Sequence, residues 1–279
     1  MKNAQDRNNR LARQWFLKAD KLKAQCKFEA ALEAYAKGLV FGSKNEKAWN
    51  NIGIVYAALE KYADALKAYD KSIEINPSYP KAWNNKGVAF DSLIKFDEAL
   101  KAYRTAVKID PNYQKAWVNM AGVLTKMHSA YEALEAIDKA VKINPENYDA
   151  LEFRGIALIN LSKYEEALIT LNKAIAINHF HERAWNNKGA ALKSLDRFEE
   201  ALGAFNKALE INPNYQKAWF NIGSVLAILG KPDEALAAFE KATEINPKDY
   251  EAWYQKGNVL STLGRHEESV KAFNKALLQ

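Results

Sequence analysis

Residues 49–77 read WNNIGIVYAALEKYADALKAYDKSIEINP, and residues 83–111 read WNNKGVAFDSLIKFDEALKAYRTAVKIDP. The second stretch is the first moved on by 34 residues, with Trp, Asn-Asn, Gly, Ala-Leu-Lys-Ala-Tyr and a final Pro in the same places. The same ruler runs outward in both directions through Trp15, Trp117, Trp185, Trp219 and Trp253, and its one gap, position 151, holds Leu. Self-similarity at a fixed period of this size marks a solenoid, in which one supersecondary unit is stacked many times.

Each unit reads as two amphipathic helices. Four residues after the Trp position stands a small residue (Ala19, Gly53, Gly87, Ala121, Gly155, Gly189, Gly223, Gly257), and three further on a larger apolar one such as Tyr56 or Phe90. Spacings of four and seven put these groups on one helical face. The small residue lets a second helix approach, and the Trp fills the space beside it. The second helix carries Ala31, Ala65, Ala99, Ala133, Ala167, Ala201 and Ala235, each followed four residues later by Tyr, Ile, Leu or Phe. Asn or Asp and then Pro77, Pro111, Pro145, Pro213 or Pro247 end it, because Pro cannot continue the hydrogen-bond ladder.

This constellation resembles the tetratricopeptide repeat, W-x₂-L-G-x₂-Y followed by A-x₃-F and P. Repeat two carries it as Trp49, Ile52, Gly53, Tyr56, Ala65, Tyr69 and Pro77. The resemblance implies an all-α fold: a right-handed α-solenoid superhelix of stacked antiparallel helix pairs. It spans residues 13–279 as one domain of eight repeats starting near 13, 47, 81, 115, 149, 183, 217 and 251, after a polar, frayed lead-in over 1–12. It also implies a non-enzymatic protein–protein interaction scaffold, and places the first helix of each pair on the concave side.

Positions two before and two after the Trp lie four apart, hence on one face of that first helix. The former include Lys47, Lys81, Lys115, Arg183 and Lys217, and the latter Asn51, Asn85, Asn119, Asn187 and Asn221. An amide both donates and accepts, so an Asn ladder suits the backbone of an extended peptide, while the cations suit acidic side chains or a terminal carboxylate. The competing reading is that the Asn residues brace neighbouring helices and the Lys residues merely solvate the surface. The carboxylate clamp of some relatives also needs Lys one after the Trp and Asn five after it; no repeat has both, so binding of chaperone tails is not supported.

Repeat five departs from the pattern, with Leu151 for Trp, Asp149 for the cation, Phe153 for Asn and His179 for the closing Pro. Either this is drift, or it separates two binding stretches, 47–122 and 183–224, with Glu152 and Phe153 as an acidic, partly apolar step between them. The chain stops at Ala276-Leu277-Leu278-Gln279 without the polar capping helix usual in the family. That leaves two readings: a piece of a longer protein, such as its targeting arm, or an apolar end near Phe273 and Leu277 that makes a homodimer.

Other classes find little support. His179 and His181 form an HxH in a turn with only Glu182 adjacent, which reads as a solvated turn rather than a metal site. The lone Cys26 falls in the turn between the helices of repeat one with no positioned base, there is no Gly-rich phosphate loop, and recurring pairs such as Asp97-Glu98 and Asp233-Glu234 serve helix N-terminal charge. No catalysis, metal or cofactor is expected. An excess of six positive charges favours anionic partners, but the cations are interleaved with Glu, without the dense stripe a nucleic-acid binder shows. A single cysteine, no signal peptide and no apolar run of membrane-spanning length point to the cytoplasm.

Overall fold

The computed structural model describes residues 2–277, with side chains from residue 5 onward. Met1 of the expected lead-in and Leu278 and Gln279 of the expected apolar end lie outside the described residues. Among these residues sixteen helices follow one another without a strand. Repeats one to four are α1 (Lys2–Ala24) with α2 (Phe28–Phe41), α3 (Glu46–Ala58) with α4 (Tyr62–Ile75), α5 (Pro80–Ser92) with α6 (Phe96–Ile109), and α7 (Gln114–Lys126) with α8 (Ala130–Ile143). Repeats five to eight are α9 (Tyr148–Asn160) with α10 (Tyr164–Ile177), α11 (Glu182–Ser194) with α12 (Phe198–Ile211), α13 (Gln216–Ile228) with α14 (Pro232–Ile245), and α15 (Tyr250–Thr262) with α16 (His266–Leu277). The repeats fall into two compact units, up to Asn144 and from Pro145 onward. Through the expected lead-in runs the first part of α1, which begins at Lys2, and Ala12 is buried.

Each helix pair closes as its small residues dictate. All seven of the recurring alanines that open the second helices, from Ala31 to Ala235, are buried. Gly87 meets the ring of Tyr103 so closely that an added Cβ would lie 2.6 Å from Cε1. The turn between the two helices of a repeat ends in the same way every time. The residue eleven after the Trp position has positive φ: Cys26, Glu60, Ile94, His128, Ser162, Asp196, Gly230 and Gly264. The next N–H reaches back to the last turn of the helix, as Lys95 N does to Phe90 O at 2.9 Å. This is the Schellman motif, which satisfies carbonyls the helix end leaves open.

The stop of the second helix differs from expectation in one respect. Repeat five lacks the proline, yet α10 ends at Ile177 as its counterparts do. The Asn or Asp before the proline does the work, its side chain accepting from the backbone N–H two residues on. Asn178 Oδ1 takes Phe180 N at 3.2 Å, just as Asn76 takes Ser78 N at 3.1 Å. An Asx turn of this kind offers the chain an alternative to another helical turn.

Candidate functional site

The tryptophans are half-buried rather than sealed in the core. The indole N–H of Trp83 donates to Pro77 O at 2.9 Å, and Trp117, Trp219 and Trp253 bond Pro111, Pro213 and Pro247 in the same way. Trp185 does so with His179 O at 3.0 Å. Each of these rings therefore packs against its repeat and also pins the incoming turn.

The asparagines two after the Trp form rungs between successive first helices. Asn85 Nδ2 donates to Asn50 Oδ1, and Asn119 Nδ2 to Asn84 Oδ1, both at 2.9 Å. Asn84 Nδ2 in turn donates to Asn85 Oδ1 at 3.2 Å, so Asn119, Asn84, Asn85 and Asn50 make one continuous relay. In the second unit Asn221 bonds Asn186 at 3.0 Å and Asn187 reaches Glu152 Oε1 at 3.4 Å. The first rung, Asn51, finds Asp20 Oδ1 at 2.9 Å, an oxygen that the buried Tyr35 hydroxyl also bonds. The bracing role weighed in the sequence is thus present at every one of the five asparagines.

Sequence reasoning overlooked the acceptors, four of which stand one after the Trp position, while Asp20 stands five after it. Asn50, Asn84, Glu152 and Asn186 are all buried. Part of the signal was readable: at Val118 and Phe220 that residue is apolar and the position 35 further on holds Phe153 or Gln255 instead of Asn, whereas after the apolar Phe16 the Asn51 is kept and takes Asp20 as its acceptor. Half-buried, each rung Asn keeps one amide N–H and part of its carbonyl capacity beyond the rung bond.

The cation row divides. Lys47, Lys81, Lys115 and Lys217 are exposed and, among the described residues, make no ion pair. Arg183 is not free: its Nη2 lies 2.8 Å from Glu152 Oε1 and its guanidinium 5.9 Å from the Phe153 ring centroid. This corrects the acidic step expected at repeat five. Glu152 faces inward, where its Oε1 accepts from Asn187 and Arg183, and it is 1% exposed. Burial raises the Glu152 carboxyl above the ordinary carboxylate range, against the opposing pull of Arg183. His181 is likewise not in a solvated turn; its side chain is 18% exposed, with Nδ1 3.7 Å from Glu152 Oε2.

At the last helix pair the two residues named for self-association part ways. Phe273 packs against Gly257 and Tyr254, whereas Leu277 and Val270 are exposed. No helix among the described residues is long and apolar enough to cross a membrane.

A tetratricopeptide repeat model matches residues 46–79, 80–113, 182–215 and 217–249, and two more models of that description match residues 131–182 and 238–271. No curated protein matches the chain. Among solved structures it is similar to YrrB, described as a TPR protein with an unusual peptide-binding site, at 26% identity and a TM-score of 0.54 over 68% of this chain and 98% of that one. It is also similar to the APC/C hetero-tetramer Cut9-Hcn1, at 18% identity and a TM-score of 0.73 over 88% of this chain and 48% of the other. A tetratricopeptide repeat protein from Parabacteroides merdae shares 14% identity and a TM-score of 0.69, over 90% and 99% of the two chains. The last two likenesses show the fold alone.

Proposed function

Because the chain belongs to the tetratricopeptide repeat family, whose repeats build protein–protein interaction scaffolds, we propose that it binds an extended, acidic peptide or protein tail along its first helices. The observation that carries this reading is the contrast between the two rows. The rung bonds fix the orientation of each amide before any ligand arrives, so little side-chain entropy remains to be lost on binding. Beside them, Lys47, Lys81, Lys115 and Lys217 are exposed and uncompensated. Amides held still next to free cations suit a peptide backbone flanked by carboxylates. YrrB, a quarter identical to this chain, is described as having a peptide-binding site, which agrees with this reading.

The rungs also decide which variants test it. Asn85→Ala would leave the buried Asn50 and Asn84 each short of a partner, at a cost of roughly 1–3 kcal/mol. Lost binding in that variant would mix folding with recognition. The lysines have no such structural duty, and changing an exposed one shifts stability by only about 0.5 kcal/mol. Lys81→Glu with Lys115→Glu should keep the melting temperature and lose most of the retention of an acidic peptide library on the immobilised chain. Retention equal to that of the parent would sink the assignment.

A further inference from the structure

Glu152 carries a charge that its rung does not use. Asn50, Asn84 and Asn186 fill the same register position and accept the same amide bond with a neutral oxygen. Among the described residues Glu152 is the only acidic or basic side chain in the buried set. Its Oε1 is occupied by Arg183 at 2.8 Å and Asn187 at 3.4 Å. Its Oε2 is buried without a hydrogen-bond partner, and so is His181 Nδ1, 3.7 Å away. At that distance the two are too far apart to share a proton in a hydrogen bond. A cation between this carboxylate oxygen and the imidazole nitrogen would satisfy both buried atoms at once.

A third donor completes the group. Asp149 precedes Glu152 by three residues on α9, hence on the same face, and one oxygen or nitrogen from each of Asp149, Glu152 and His181 lies within 4.8 Å of the others. Donor atoms around a tetrahedral zinc stand roughly 3.3 Å apart, given metal–ligand bonds of about 2.0–2.1 Å. Asp149 is exposed and able to close that difference by rotation. The imidazole is held in place by Tyr148, whose ring centroid lies 5.1 Å from its own.

We propose that Asp149, Glu152 and His181 form a binding site for a divalent transition-metal ion of the zinc type. One imidazole and two carboxylates suit such an ion better than calcium or magnesium, which take mostly oxygen donors and more of them. Two carboxylates against Arg183 leave one net negative charge when His181 is neutral, so the site attracts a dication without expelling the arginine. The ion joins α9 to the turn that enters α11. It thereby fastens repeat five to repeat six beside Leu151, the one register position without a Trp.

Zinc titration of the full chain, first stripped with chelator and then competed against a chromophoric zinc indicator, tests this. One equivalent should bind and raise the melting temperature. His181→Ala should abolish both effects, Asp149→Asn should weaken binding at least tenfold, and His179→Ala and His266→Ala should change neither. Glu152→Gln keeps an acceptor for the rung and should lose the zinc; if it fails to fold, the His181→Ala variant decides by itself. Zinc bound equally well by His181→Ala, zinc lost equally in the His179→Ala control, or binding with no change in melting temperature would overturn the proposal.

Discussion

Ile94 occupies a backbone conformation that a β-branched residue avoids. With φ at 60° it sits in the left-handed region, where Cβ crowds the following carbonyl. Its side chain is 75% exposed, so packing returns almost nothing for that strain. Gly230 and Gly264 occupy the same turn position without it. Ile94→Gly should therefore stabilise the protein by about 0.5–1 kcal/mol, the relief of left-handed strain less the added freedom of glycine in the unfolded chain. Urea unfolding of parent and variant measures this, and a lower midpoint for the variant would contradict it. Two glycines in eight were too few to reveal the position from the sequence. Cys26, Glu60, Ile94, His128, Ser162 and Asp196 share no chemistry, because the Schellman bonds use the backbone and leave the side chain free.

At the scale of helices, the parts of the fold that were legible are those where one side chain must fit another. Gly87 and Tyr103, or Gly53 and Tyr69, recur because the rings lie against the opposite backbone, and a repeat period exposes such pairs directly. The parts that were not legible involve backbone partners or residues that change identity while keeping a role. Trp185 bonds the carbonyl of His179 as readily as its counterparts bond proline, so the missing proline weakened a signal without weakening the structure. Glu152 takes the acceptor role of Asn50, and it is buried as the other acceptors at that register position are, while the apolar Val118 and Phe220 there are only half-buried. The close fit sets a prediction at this scale. Gly87→Ala would put Cβ 2.6 Å from the buried Tyr103 ring, which has no room to retreat. Overpacking of this kind costs about 1–3 kcal/mol. Thermal unfolding should show the loss, and Gly203→Ala, where nothing lies within 4 Å of the added Cβ, should not.

Over the whole chain, charge and repetition act together. The sequence carries six more basic than acidic residues, yet many of its lysines and arginines are spent in pairs along or between helices, such as Arg197 with Glu200 and Lys126 with Asp91. The uncompensated remainder includes the same register position in repeats two, three, four and seven: Lys47, Lys81, Lys115 and Lys217. A net charge of +6 without such placement would attract any anion weakly. Four free lysines at one register position concentrate the attraction on the first helices, where the oriented amides also are. Such steering acts on the rate of encounter more than on the lifetime of the complex. It is screened over about 10 Å at 0.1 M salt. An acidic peptide should accordingly associate more slowly as salt rises from about 0.05 to about 0.2 M, with dissociation little changed. In the Lys81→Glu, Lys115→Glu variant the association rate should start lower and depend less on salt, because fewer charges remain to be screened. Stopped-flow or surface-based kinetics separates the two rates. A salt dependence residing in dissociation, or one as steep in the variant as in the parent, would show that these lysines do not steer the ligand.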